Sequence, residues 1–330
     1  MLCLRRLSCS AIICCALISD TLGRSIGVPP SSEQEPAHST IEARGSSSNS
    51  SSRATWVWET ADIVNSNTKS NAFITFAKQN NVTRAYVHVD PDVAINNFKA
   101  FVTKCVNSGI VVEALMGDAI WVTQSDDDLT NRLSWIAQYQ KATAGTASLQ
   151  IQGLHLDVES VYNYGKKVVA NIVFNIQPWV LSDWTANMAT YIQGWENLTT
   201  TLKTWAKAQQ PPLPLAADLP FWLNTLNATK GGRLDREMMT ILDSATIMSY
   251  RNSASALMDV ASAALQMGKT LNKPVWLGVE TCQSQEGNYI SYYGLGKKKL
   301  TADLATITKL MGARNAGIAV QDNDCWAAMG

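Results

Sequence analysis

From Thr55 onward, eight short runs of β-forming residues are each followed by a segment with helical spacing. The first four are "TWVWE" from Thr55, "RAYVHVD" from Arg84, "IVVEALMG" from Ile110 and "IQGLHLDVE" from Ile151. The rest are "PLPLAADLP" from Pro212, "ATIMSYR" from Ala245, "PVWLGVE" from Pro274 and "AGIAVQD" from Ala316. Between them, segments such as "INNFKAFVTKCVNSG" carry apolar residues at helical spacing, this one stopped by Gly109. Strand-helix alternation repeated eight times over about 275 residues is the pattern of a single-domain (β/α)8 TIM barrel. A doubly wound open sheet would carry a Gly-rich phosphate loop after its first strand, and none follows "TWVWE".

Ahead of the barrel, Arg5 and Arg6 precede a short apolar run through Ile18. This is the layout of a signal peptide over 1–24, cut between Asp20 and Ser25, and the run is too short to span a bilayer. Residues 25–53 are Ser- and Pro-rich, include "GSSSNSSS", and read as a disordered leader because they cannot bury apolar surface. The barrel is expected over 54–330. Hydrophobic residues make up 46% of the 330-residue chain, charged residues 16%, and the formal net charge is zero. That balance supports a sizeable core and argues against a nucleic-acid or polybasic membrane partner.

Of seven cysteines, four lie in the signal segment, leaving Cys105, Cys282 and Cys325. Cys282 and Cys325 follow the seventh and eighth strands at the same end, so a disulfide is expected there. Cys105 sits in a helix and is expected to be a buried free thiol. Sequons at Asn49, Asn81, Asn197 and Asn227 fit a secreted, extracellular glycoprotein, expected as a monomer with no membrane attachment after signal cleavage.

In such barrels the chemistry sits at the C-terminal ends of the strands. Glu59 ends the first strand, Asp90 and Asp92 the second, Gly117 and Asp118 the third, and Asp157 and Glu159 the fourth. Asp218 ends the fifth, Tyr250 and Arg251 the sixth, Glu280 the seventh, and Gln321 and Asp322 the eighth. Asp90 precedes Pro91 and is expected only to cap the following helix. Alternation with a period of two points His155, Asp157 and Glu159 into the barrel and turns Leu154, Leu156 and Val158 toward the helices. Glu159 lies nearest the mouth. Burial beside a second carboxylate raises a glutamate's pKa, which suits a general acid, and Asp157 can orient it. A hydrogen-bonded polar core layer would use the same residues.

Asp218 and Glu280 are reserve candidates for base or nucleophile, or else partners of Arg251. Trp56, Trp58, Trp121, Trp222 and Trp326 lie near strand ends, where some can stack on sugar faces while the rest serve as core. Trp58, Glu59, Asp118, Trp121, His155, Trp222, Arg251, Gln321 and Asp322 are therefore candidate substrate contacts. His88 and His155 are the barrel's histidines, too few for a three-His zinc site, and no metal or cofactor is expected.

"GLHLDVE" resembles the fourth-strand signature of family 18 glycoside hydrolases, the chitinases and their relatives: D-G-x-D-x-D-x-E. Gly153, Asp157 and Glu159 match, while Gln152 and His155 replace the first two acids. "IMSYR" resembles that family's sixth-strand M-x-Y-D, with Met248 and Tyr250 matching and Arg251 in place of the acid. The resemblance implies that Glu159 protonates the leaving group. It also implies that Asp157 and Tyr250 assist an acetamido group of the substrate. Two readings follow: a secreted glycoside hydrolase acting on a carbohydrate substrate, or a catalytically silent barrel that binds glycans as a lectin-like or effector protein.

Directly after Glu159, the stretch "SVYNYGKKVVANIVFNIQ" (160–177) interrupts what would otherwise run "LHLDVE-PWVLSDW". It has a whole number of codons and ends that permit splice borders, so it reads either as a retained intron or as a genuine loop at the mouth.

Overall fold

Runs rich in Val, Ile, Leu and Trp, closed at each end by turn residues, become the eight strands of one sheet. The computed structural model describes residues 52–123, 126–157, 184–312 and 316–330. The expected signal peptide, the leader up to Ser51, Glu159 and the 160–177 insert lie outside the described residues. The strands are β1 (Arg53–Val57), β2 (Val82–His88), β3 (Val111–Met116), β4 (Leu154–Leu156), β5 (Leu215–Pro220), β6 (Ser244–Met248), β7 (Val275–Glu280) and β8 (Gly317–Gln321). They pair in parallel, in sequence order, and the sheet closes as β8 returns to β1 through Ala54↔Ala319 and Thr55↔Val320. β1 begins at Arg53, one residue ahead of the expected start of the barrel.

The helices are α1 (Thr60–Val64), α2 (Asn67–Gln79), α3 (Ile95–Val106), α4 (Asp127–Ala142), α5 (Trp184–Lys207), α6 (Leu234–Ile241), α7 (Ala254–Leu271), α8 (Gly296–Met311) and α9 (Asn323–Ala327). Their starts follow local chemistry. Ser66 caps α2 by accepting from Lys69 N, and Ser253 caps α7 by accepting from Ala256 N. Asp90 does not cap α3, whose N-cap is Ala94; its Oδ1 instead accepts from Asp92 N at 2.9 Å and closes a turn. The intervening Pro91 and two further residues move the helix start out of its reach. No described helix is long and apolar enough to cross a membrane.

Side-chain alternation sorts each strand onto two faces. Val57, Val87, Leu154, Leu156, Leu219, Leu277 and Val320 join the large outer core, packed with Phe98, Phe101, Trp195, Leu257 and Leu304 of the helices. Ala54, Trp56, Tyr86, Leu115, Trp276 and Ala319 form a separate cluster inside the barrel. The interior is therefore filled, and a ligand can enter only at its ends.

Gly194 of α5 sets how closely that helix approaches the short 3-10 helix Ala119–Val122 after β3. A Cβ there would lie 1.7 Å from the carbonyl oxygen of Val122. In an exposed helix Gly→Ala would stabilise by up to about 1 kcal/mol. Here the clash is with backbone, so Gly194→Ala is expected to destabilise by roughly 1–3 kcal/mol. Urea unfolding that shows the variant equal to or more stable than the parent would contradict this packing.

Cys282 and Cys325 are bonded, with Cα atoms 5.2 Å apart and a sequence separation of 43. Closing a loop of that size contributes about 2–4 kcal/mol, chiefly by restricting the unfolded chain. Replacing both cysteines with Ala should lower stability by that amount. Melting that is indifferent to reductant would refute the contribution. Cys105 is free and fully buried, and burial pushes its thiol up to about 12, with Lys104 pulling weakly the other way.

Candidate active site

The mouth rests on a buried charge network. Arg84 of β2 pairs with Glu113 of β3, and Glu113 Oε2 lies 3.4 Å from His155 Nδ1. On its other side, His155 Nε2 is 3.0 Å from Asp218 Oδ1; the carboxylate accepts, so this nitrogen donates. The second oxygen of Asp218 accepts from the Trp56 indole at 2.9 Å. Tyr86 stacks on the imidazole with ring centroids 3.6 Å apart.

This arrangement buries two of the expected site residues. His155, expected as a substrate contact, is 0% exposed and sits within the barrel interior. Asp218 is 4% exposed with both oxygens engaged, a geometry that suits a structural carboxylate. Both side chains point inward as alternation predicts, but large rings from β1 and β2 close around them.

Above this floor, the strand ends bring together a second set. Asp157 immediately follows β4 and is buried, its backbone N–H donating to Met116 O at 3.0 Å. Glu280 ends β7, also buried, and its Oε1 accepts from Cys282 N at 2.6 Å. Gly278 gives Tyr250 its place: a Cβ at Gly278 would come within 3.0 Å of the tyrosine ring. The phenol therefore lies against β7, two residues before Glu280. Gln321 pairs in register with Glu280. It is 8% exposed, and its Oε1 has no donor among the described residues. A buried acceptor left unpaired costs about 1–3 kcal/mol, so this atom is suited to meet a hydroxyl or N–H of a ligand.

Around the rim, burial raises the pKa of three carboxyls. For Glu59, nearby Asp324, Asp62 and Asp322 add to the effect of burial. Asp322 caps α9 through Cys325 N at 2.9 Å, which partly opposes its burial. Asp118 caps the 3-10 helix through Ile120 N at 2.9 Å, with the same opposition. Among the described residues, Cys282, Asp322 and Cys325 form the one group with metal-ligand spacing, but the two sulfurs are bonded to each other.

The tryptophans divide. Trp56, Trp121 and Trp326 are buried, and Trp121, expected as a substrate contact, packs with the outer core. Trp58 and Trp222 keep exposed surface at the mouth. Trp58 lies against His88, with centroids 5.7 Å apart. His88 in turn meets Arg132 Nη1 at 2.8 Å, and burial, then Arg132, lower its pKa to about 3. His88 and Arg132 were not among the expected site residues. The inward alternation of Tyr86 and His88 in "AYVHVD" was the available signal for the histidine. Arg251 has no carboxylate within 4.0 Å among the described residues; it lies over the rings of Phe221 and Tyr289 instead.

Fold and site together define a (β/α)8 barrel with an acid-rich C-terminal mouth. Nothing matches this chain among models of protein families or among curated proteins. Solved structures do resemble it. The endo-beta-1,4-mannanase from Thermotoga petrophila has 10% identity and a TM-score of 0.51, over 83% of this chain and 68% of that one. The Bacillus cereus spore cortex-lytic enzyme SleL has 10% identity and a TM-score of 0.48, over 84% and 73%. A chitinase from Chromobacterium violaceum has 11% identity and a TM-score of 0.44, over 84% and 98%. At such identities the likeness extends to the fold alone, and of these three the mannanase exceeds a TM-score of 0.5.

Proposed function

We propose that this chain is a secreted glycan-cleaving barrel working by carboxylate acid/base chemistry at its C-terminal face. The observation that carries the reading is that Asp157, Tyr250, Glu280 and Gln321 all stand at one end of the closed barrel, with Glu159 two residues after Asp157 in the sequence. Glu159 donates a proton to the leaving oxygen as the glycosidic C–O bond breaks. Asp157 orients it or supports a substrate group, and Tyr250 supports the same group. Water then adds to the anomeric carbon, and its proton returns to the carboxylate. Glu280, held by Cys282 N, remains a candidate for positioning that water.

The test is turnover of chitin, mannan and xylan oligomers by the secreted chain, with and without residues 160–177. Hydrolysis of any of them by either form supports the reading. Binding without hydrolysis by both forms would favour the second reading, a glycan-binding barrel. That reading draws on the altered signature: Gln152 turns away to bond the carbonyls of Ala147 and Gln150, and His155 is locked in the core.

A further inference from the structure

Arg251 is the only cation among the residues that end the strands on the described mouth, where Glu59, Asp118, Asp157, Glu280 and Asp322 are all acids. Its surroundings are built. Phe221, just past β5, has its ring centroid 4.9 Å from the guanidinium carbon. Tyr289, in the loop after β7, lies at 5.3 Å. That loop is fastened to the end of β6, since Asn252 N donates to Tyr289 O at 2.9 Å and Asn252 Nδ2 donates to Asn288 O at 2.6 Å. The guanidinium itself spends one N–H on the Tyr250 carbonyl at 2.7 Å. Its remaining N–H groups have no protein acceptor among the described residues, and no carboxylate neutralises it there. Tyr289 is 54% exposed, so the stack faces solvent at the mouth.

A guanidinium resting on aromatic faces keeps its edge for planar, two-oxygen acceptors, and aromatic rings beside it suit the C–H face of a sugar. We propose that Phe221, Arg251 and Tyr289 form a subsite for a sugar that bears a carboxylate, a hexuronate. The acids Glu59, Asp62, Asp322 and Asp324 cluster at the β8–β1 side of the same mouth. The favoured ligand therefore carries one acidic sugar in an otherwise neutral glycan rather than a run of them. This inference rests on the glycan reading above.

The experiment is calorimetric binding to the secreted chain. The probes are short xylan and mannan oligosaccharides carrying one glucuronate, the same oligosaccharides methyl-esterified, and sulfated counterparts. Binding of the acid is expected to be about tenfold or more tighter than that of the ester, and to weaken as salt is raised. Arg251→Gln should remove that preference and Arg251→Lys should keep part of it. Tyr289→Ala, an exposed change that leaves the charge in place, should lower affinity for the acid several-fold. Equal binding of acid and ester by the parent, or an unchanged preference in folded Arg251→Gln, would overturn the subsite. Sulfated probes binding as well as the carboxylates would overturn the hexuronate assignment. Loss of the glycan reading looks different: no oligosaccharide, charged or neutral, would then bind or be cleaved.

Discussion

Asp218→Ala is expected to destabilise the fold by about 3–5 kcal/mol, because it strips the partner from a buried polar group on each side. Asp218 accepts from His155 Nε2 and from the Trp56 indole, and both donors are 0% exposed. Without it, His155 is left between the Tyr86 ring and Glu113, and Trp56 keeps an unpaired N–H in the barrel interior. At about 2–4 °C per kcal/mol for a domain of this size, the melting temperature should fall by roughly 6–20 °C. The double change His155→Leu with Asp218→Leu should recover part of the loss, since removing both partners leaves fewer orphaned groups. Thermal melts of the three variants decide the matter. A catalytic Asp218 would show the opposite pattern: lost activity with a melting temperature within about 1 °C of the parent, well inside the ordinary range of surface changes.

Glu159→Gln is the second large expectation, read in activity. The amide keeps the shape and hydrogen bonding of the carboxyl but cannot supply the proton, so turnover should fall by about 10²–10⁴-fold. Oligosaccharide binding should stay near the parent's, because the aromatic and polar contacts of the mouth are untouched. Asp157→Asn should also reduce turnover, and by less if Asp157 only orients its neighbour. Steady-state kinetics on whichever oligomer is cleaved checks both, with circular dichroism confirming the fold. Full activity in Glu159→Gln would sink the assignment of the general acid and move attention to Glu280, a buried carboxylate at the end of β7.

Several of these features were legible before any coordinates. The eight strands were, because Val, Ile and Trp at a period of two mark a pleated surface wherever they occur. The inward set His155 and Asp157 and the outward set Leu154 and Leu156 followed from the same alternation. The bonded pair Cys282 and Cys325 was legible once strands seven and eight were known to end on the same side. What failed to show was depth. His155 and Asp157 differ by two residues, yet one is sealed beneath Trp56 and Tyr86 and the other reaches the level of the mouth. Trp121 and Trp58 both follow strand ends, yet one is packed in the outer core and the other keeps solvent.

The reason is that periodicity is a property of a short stretch of chain, set by backbone geometry within a few residues. From it alone came the barrel, the faces of its strands and the end at which acids gather. Which inward residue of one strand meets which residue of another depends on the tilt and stagger of a closed sheet, and no single strand carries that information. Register brought Arg84, Glu113, His155, Asp218 and Trp56 into one network, and so gave both oxygens of Asp218 partners within the protein. It likewise set Tyr250 against Gly278 beside Glu280, and carried the loop with Tyr289 to Arg251, where a residue that looked like a lost acid became a cationic platform.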